Sequence, residues 1–244
     1  MKISFVIPAY NEEKNIGGCV ASIMQEISTE KVDAEVIVVN NASTDDTKKI
    51  ASAFTTVIIV DEQRKGLVWA RKAGFERSTG ELIANIDADN MLPKGWLKQV
   101  LKRFEDPELS ALSGPVVYYD TPRYVRFTTM LFFRLGYAAN LLNKLLSGVN
   151  SMLQGGNFIL RREILQKIGG FDTSISFYGE DTDIGRRVAQ IGKVVWTFDL
   201  PINSSGRRIM EEGLFKVGFT YALNFLWITV AKKPFTKKYK DIRS

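Results

Sequence analysis

Strand-type and helix-type patterns alternate four times between residues 3 and 104, and nothing else in the chain restricts its fold as strongly. Residues 3–7 form a short apolar run stopped by Pro8. Residues 12–27 have helical spacing, with Ile16, Val20, Ile23, Met24 and Ile27 on one face. Residues 35–39 are a continuous run with three valines and an isoleucine, the pattern of a strand buried on both faces. Ser43, Thr44, Asp45 and Asp46 supply capping residues before a helix at 47–54. A third strand at 57–60, a helix at 67–78, a fourth strand at 82–86 and a helix at 93–104 complete the series. Pro93 suits the first turn of that last helix. Strands separated by helices predict a parallel, doubly wound α/β sheet.

Beyond residue 110 the rhythm changes. Residues 111–119 have the pattern of a single strand. Residues 124–146 are strongly apolar and helical in spacing, with Arg123 just before them and Arg126, Arg134 and Lys144 along them. Gln154, Gly155, Gly156 and Asn157 form a tight loop before a strand at 158–160. A short helix at 162–168 is closed by Gly169 and Gly170, a helix at 181–191 is ended by Gly192, and 194–198 is one more strand. Residues 217–231 are fifteen uncharged residues in a row. That is short of the roughly 20 needed to span a bilayer. The segment fits an interfacial helix, a helix packed on the domain, or a partner surface.

Composition narrows the chemistry. There is no histidine, so a metal site must lean on oxygen ligands, which points to Mg²⁺ or Mn²⁺ rather than zinc. Cys19 is the only cysteine, so no intrachain disulfide forms and a reducing, cytoplasmic setting is expected. The first eight residues are interrupted too soon for a signal peptide and fit a first strand. The net charge of +6 is uneven: residues 207–244 carry nine Lys/Arg against three Asp/Glu, which accounts for all of it. Such a tail suits anionic headgroups or phosphates, and equally a solvated end.

Four patches carry candidate chemistry. Pro8, Ala9, Tyr10, Asn11, Glu12 and Glu13 follow the first strand, where a loop can hold a base or ribose. Asn40, Asn41, Ala42, Ser43, Thr44 and Asp45 follow the second, with amides and hydroxyls able to read a base edge. Asp87, Ala88 and Asp89 end the fourth strand, where two carboxylates would grip a hard cation carrying a diphosphate, or simply form a turn or helix cap. Open α/β sheets bind ligands at the carboxyl ends of their strands. Glu180, Asp181 and Asp183 open a helix. Acidic residues there complement the helix dipole, but without histidine this cluster is also the best source of a general base.

In order and context these patches resemble the family 2 glycosyltransferases, whose nucleotide-binding fold is of the GT-A type. Residues 8–13 match that family's opening loop and residues 38–46 its V-D-[DN]-G-S-x-D block. Gly66 with Ala70 and Arg71 matches G-x-x-x-A-R, and Asp87-Ala88-Asp89 the metal motif. Gly155, Gly156 and Asn157, with 169–172, match the acceptor-side block, and Glu180-Asp181 the ED motif. The resemblance covers residues 3–210 or so. It implies a Rossmann-like GT-A fold over 1–206, with a nucleotide-sugar-binding half at 1–110 and an acceptor-side half at 111–206. Residues 207–244 would be an apolar, basic helical appendage.

The same resemblance implies roles. Pro8, Ala9, Tyr10 and Glu12 would line the nucleotide pocket, and Asn40 or Asn41 would face the base. Arg71 would sit near the pyrophosphate. Asp89, with Asp87 and Ala88 beside it, would hold the sugar nucleotide and its metal. Asp181 would be the catalytic base beside Glu180, with Gly155, Gly156 and Asn157 on the acceptor side. Arg207 and Arg208 would close over the diphosphate. The activity implied is inverting, metal-dependent transfer from a nucleoside-diphosphate sugar to a hydroxyl or phosphate. The acceptor would be a glycan or a polyprenyl-lipid-linked molecule in cell-envelope glycan synthesis.

Some residues depart from the family pattern. Asn40 stands where Asp is frequent, Ala42 where Gly is, and Lys72 where Asn is. The late histidine ligand of some relatives has no counterpart here, and there is no Q-x-x-R-W motif, which argues against processive polymer synthesis. A nucleotidyltransferase would need a Gly-rich, basic loop at 8–13, which is neither. A non-catalytic nucleotide-sugar-binding scaffold would not need both acidic pairs. Nothing points to nucleic acid. Segments 124–146 and 217–231, with the basic tail, fit a lipid-linked acceptor at the inner face of the cell membrane, with peripheral contact through 217–244, and equally fit core or dimer-interface helices.

Overall fold

The computed structural model describes residues 1–147, 151–175, 178–231 and 235–236. Most of the basic stretch 232–244 therefore lies outside the described residues. The chain runs β1 (Ile3–Ala9), α1 (Ile16–Glu30), β2 (Ala34–Asn40), α2 (Thr47–Ser52), β3 (Val57–Asp61), α3 (Leu67–Arg77) and β4 (Leu82–Ile86). A short strand β5 (Asn90–Met91), helix α4 (Trp96–Arg103), strands β6 (Leu109–Ser113) and β7 (Val116–Tyr118), and the long helix α5 (Arg123–Ser147) follow. Then come β8 (Asn157–Arg161), α6 (Arg162–Lys167), α7 (Glu180–Val188), β9 (Lys193–Trp196), β10 (Ile202–Ser204), α8 (Arg207–Glu212) and α9 (Leu214–Ala231).

Among the described residues the main sheet has the order β3-β2-β1-β4-β8-β6-β9. The pairs β3–β2, β2–β1, β1–β4 and β6–β9 are parallel, and β8 is antiparallel to both β4 and β6. The expected mainly parallel α/β sheet flanked by helices is what forms. Side chains alternate between its faces, as the two-residue period of a strand requires. Ile3, Phe5, Ile7, Val36, Val38, Leu82 and Ala84 join Ile16, Val20 and Ile23 of α1 and Leu97 of α4 on one face. Val6, Ile37, Val39 and Ile83 join Ala70 of α3 on the other. Burial on both faces is why these strands are uniformly apolar.

The expected single strand at 111–119 is two strands in two sheets. β6 belongs to the main sheet, whereas β7 pairs in parallel with β10, which also pairs with β5. The break falls at Gly114-Pro115. A side chain at 114 would run into the Leu200 carbonyl oxygen, and Pro115 has no N–H to give a ladder. The small sheet β5-β10-β7 and the residues after it fold over the carboxyl end of β4. Strands as short as β5 and β10 carry too little pattern to be seen in sequence.

Candidate active site

The parallel strands end level with one another. Ala9 of β1 pairs with Asn40 of β2, which pairs with Asp61 of β3, and the β1–β4 register carries Ala9 toward Ala88. This edge holds the loops singled out in the sequence. Asn11 and Ala42 take positive φ (49° and 57°) as the chain turns away from the strands. Ala42 thus adopts the left-handed conformation for which the family pattern has glycine. The Glu12 N–H donates to Thr47 Oγ1 at 2.7 Å, and Asp45 accepts from the Thr47 N–H at 3.0 Å, which locks the β1 and β2 loops together.

Several candidates have their side chains engaged within the scaffold. Asn41 is buried, donates to the Glu62 and Arg64 carbonyls at 3.0 and 2.8 Å, and accepts from the Gly66 N–H at 2.8 Å. It shapes the β3–α3 loop instead of presenting its amide to a ligand. Asn40 donates to Asp61 Oδ1 at 2.8 Å and stays at the strand edge. Tyr10 accepts a bond from Lys65 Nζ at 2.7 Å, and Pro8 and Ala9 are buried in β1. Asn157 is fully buried. Its amide donates to the Gly114 and Leu200 carbonyls at 3.1 and 2.9 Å and accepts from Trp96 Nε1 at 3.2 Å. It ties the two sheets together and does not reach the cleft.

One cleft brings the others together: Arg71, Asp87, Asp89, Gly155, Glu180, Asp181, Arg207 and Arg208 all line it. Two consecutive glycines hinge it. The Gly155 N–H donates to Asp181 Oδ2 at 2.7 Å. Gly156 has φ +74°, and a Cβ there would sit 2.5 Å from Asp87 Oδ2. Asn90 Nδ2 fixes this turn by donating to the Gly156 carbonyl at 2.7 Å. The β4–β8 pairing of Ile86 with Asn157 delivers the glycines to that place.

Arg71 is the electrostatic centre. Its guanidinium is fully buried on α3, donates to Asp87 Oδ1 at 2.9 Å and pairs with Glu180 Oε1. It therefore fastens the strand-end aspartate to the N-terminus of α7. Burial alone would lower the Arg71 pKa, but Glu180 and Asp87 outweigh it and keep the group charged. Glu180 is pushed up to about 8, by burial first, against the opposing pull of Arg71 and with added repulsion from Asp181 and Asp87. Burial also raises Asp181, partly offset by the Thr182 and Gly155 N–H groups it accepts.

Residues 204–221 close the cleft. Arg207 pairs with Glu12 and lies 3.3 Å from Asp89 Oδ2, so a guanidinium bridges the β1 loop and the end of β4. Arg208 pairs with Glu212 at 2.7 Å. Val116, Tyr118, Ile209, Val217 and Tyr221 make an apolar end of the same cleft. Burial pushes the Tyr118 hydroxyl up to about 12, so it stays neutral and able to hydrogen bond. Tyr118, Tyr221 and Asn90 line the cleft beyond the residues the sequence marks. Asn90 directly follows the Asp87–Asp89 motif, whereas nothing local marks Tyr118 or Tyr221.

The donor chemistry fits a hard divalent cation. Among the described residues no three His, Cys, Asp or Glu side chains surround a common point. Asp89 and Asp87 would supply one or two carboxylates, and diphosphate oxygens and water the rest, as Mg²⁺-type sites commonly do.

The fold is of the GT-A type. The structure overlays with TM-score 0.69 on the mannosyltransferase PcManGT from Pyrobaculum calidifontis in complex with GDP-Man and Mn²⁺, at 22% identity, covering 94% of this chain and 63% of that one. The family model "Glycosyl transferase family 2" matches residues 4–169, and the chain belongs to that family. Two curated relatives come from Haloferax volcanii. Glycosyltransferase AglE is 26% identical over 201 residues, 78% of this chain, and the chain spans 62% of AglE's length. A glucosyl-dolichyl phosphate glucuronosyltransferase is 21% identical over 260 residues, 99% of this chain and 78% of its own length.

Proposed function

We propose that this glycosyltransferase performs an inverting transfer from a nucleoside-diphosphate sugar, with Asp181 as the base. The observation that carries the reading is the Gly155-Gly156 turn: the Gly155 N–H holds Asp181, and Gly156, lacking a Cβ, leaves room for Asp87 beside it. Asp87 and Asp89 would hold the donor's diphosphate side, and Asp181 would face the acceptor hydroxyl. As that hydroxyl attacks the anomeric carbon, its proton passes to Asp181 and the bond to the diphosphate breaks on the opposite face. A raised pKa makes Asp181 a better base near neutral pH. Mg²⁺ or Mn²⁺ on Asp89 would neutralise charge on the leaving diphosphate. Arg207 and Arg208 would supply further positive charge there. Arg71, with its head group engaged, positions Asp87 and Glu180 rather than meeting the diphosphate itself. An acceptor phosphate would arrive already ionised and would not need the base.

Support for the donor class comes from the overlaid mannosyltransferase, which holds GDP-Man and Mn²⁺. The name of the glucuronosyltransferase relative supports a polyprenyl-lipid-linked acceptor. With that acceptor the enzyme would work in cell-envelope glycan synthesis, in peripheral contact with the inner face of the membrane. No helix among the described residues is long and apolar enough to cross a bilayer. Calorimetry of a nucleoside diphosphate with Mn²⁺ tests the site. Asp89→Ala is expected to abolish metal-dependent binding, and unchanged affinity would overturn the assignment.

A further inference from the structure

We propose that the outward face of α5, with the start of α9, is a docking surface for an anionic phospholipid bilayer. The inference rests on the lipid-linked reading above and gives it a location.

α5 carries two apolar stripes. The inner one is already packed: Val125 meets Ile209 and Val217, and Phe133 and Tyr137 stack on Trp196 with ring centroids 5.9 and 5.5 Å apart. The outer one is Tyr124, Phe127, Leu131, Leu135, Leu142 and Leu145, at helical spacing, with Phe127 70% and Leu145 83% exposed. Residues 124 and 145 are about 32 Å apart along the helix axis. α9 packs beside α5 at Gly218, where a Cβ would lie 3.2 Å from the Phe132 ring, and exposes Phe215 and Phe219. An apolar strip this long is unusual on a surface meant for water alone.

Charge selects the partner. α5 contains Arg123, Arg126, Arg134 and Lys144 and no acidic residue. Arg123, Arg126 and Arg134 are exposed. Aromatic and leucine side chains flanked by cations are the composition of a helix lying in a headgroup layer. A second copy of the chain would bring the same positive charge to this face.

The surface is continuous with the cleft. Val125 faces Ile209 and Val217, which line the apolar end of the cleft, while its neighbour Tyr124 faces outward. One helix diameter, about 10 Å, separates the two sides. A bilayer on the outer face would lie beside that apolar end, within reach of a headgroup carrying the acceptor.

Cosedimentation with phosphatidylglycerol-containing vesicles tests this, against pure phosphatidylcholine vesicles and without any donor or acceptor. The wild-type chain is expected to bind the anionic vesicles and to release them at high salt. Arg126→Gln with Arg134→Gln should weaken binding about 30-fold, near fivefold per charge. Phe127→Asp with Leu135→Asp should abolish it. All these side chains are exposed, so folding and nucleoside-diphosphate binding should stay at wild-type level. Undiminished vesicle binding by both variants would overturn the proposal. So would a wild-type chain that ignores vesicles and dimerises through this face. Loss limited to a variant lacking residues 232–244 would also overturn it, because the tail would then be the anchor. Failure of nucleotide binding in the wild type would count against the proposed transfer and leave the vesicle result standing.

Discussion

Gly156→Ala is the substitution whose effect the geometry determines most directly. The backbone at 156 has φ +74°, in the left-handed region, which costs an L-residue roughly 1–2 kcal/mol. The new Cβ would stand 2.5 Å from Asp87 Oδ2 and 2.6 Å from its Cγ. To reach ordinary contact at 3.4 Å the carboxylate must retreat by about 0.9 Å. Asp87 is a short side chain held on its other oxygen by Arg71 at 2.9 Å, so the retreat strains or breaks that charged hydrogen bond. A bond of that kind contributes about 1.5–3 kcal/mol when intact, and Asp87 is partly exposed, so the lower end applies. The total expected loss is about 2–4 kcal/mol. Gly169→Ala is the matched control, since Gly169 has φ +80° and nothing within 4 Å of a Cβ. It should lose only the roughly 1–2 kcal/mol of backbone strain. Denaturant unfolding of both variants measures the stability, and calorimetry with a nucleoside diphosphate and Mn²⁺ measures the site. Gly156→Ala should lose donor binding and Gly169→Ala should keep it. Equal destabilisation with normal binding in both would refute the idea that Gly156 exists to admit Asp87.

Three further outcomes follow from the same cleft. Asp181→Asn should retain donor binding and lose transfer by roughly a hundred- to ten-thousand-fold, and near-normal turnover would remove Asp181 as the base. The Glu180 pKa, about 8 when folded, lies above its unfolded value, so the stability it confers is complete at low pH and is lost as pH rises toward and through that folded value. Glu180→Gln should therefore gain on the wild type by up to about 1.4 kcal/mol per pH unit over that window, and parallel curves would contradict the raised value. Arg207→Ala removes the cation now beside Asp89 and Glu12. It should tighten binding of free Mn²⁺, counted by electron paramagnetic resonance, while weakening the nucleoside diphosphate about tenfold. Weaker binding of both would mean that Arg207 only shapes the loop.

The layered architecture and the sheet edge that carries the polar loops are legible in local patterns of the chain. Periodicity and burial are local properties: the valines of β2 and the spacing of Ile16, Val20 and Ile23 express them without reference to the rest of the chain. The residues that end buried strands, Asp87 and Asp89 among them, are legible for the same reason. Which polar groups remain available depends on contacts between distant parts of the chain. Asn41 and Asn157 carry the same amide as a ligand-reading residue, but pairing with distant carbonyls takes them out of the cleft. Arg71 is drawn into the protein by Glu180, 109 residues away, and becomes a strut between two carboxylates. Arg207 returns from 195 residues further along the chain to pair with Glu12. Two apolar stripes on α5 also look alike in sequence, since both have helical spacing. Only the packing of Phe133 and Tyr137 on Trp196 tells which one turns inward and leaves the other to solvent. Long-range contacts of this kind depend on sheet order and strand register, which no local pattern contains.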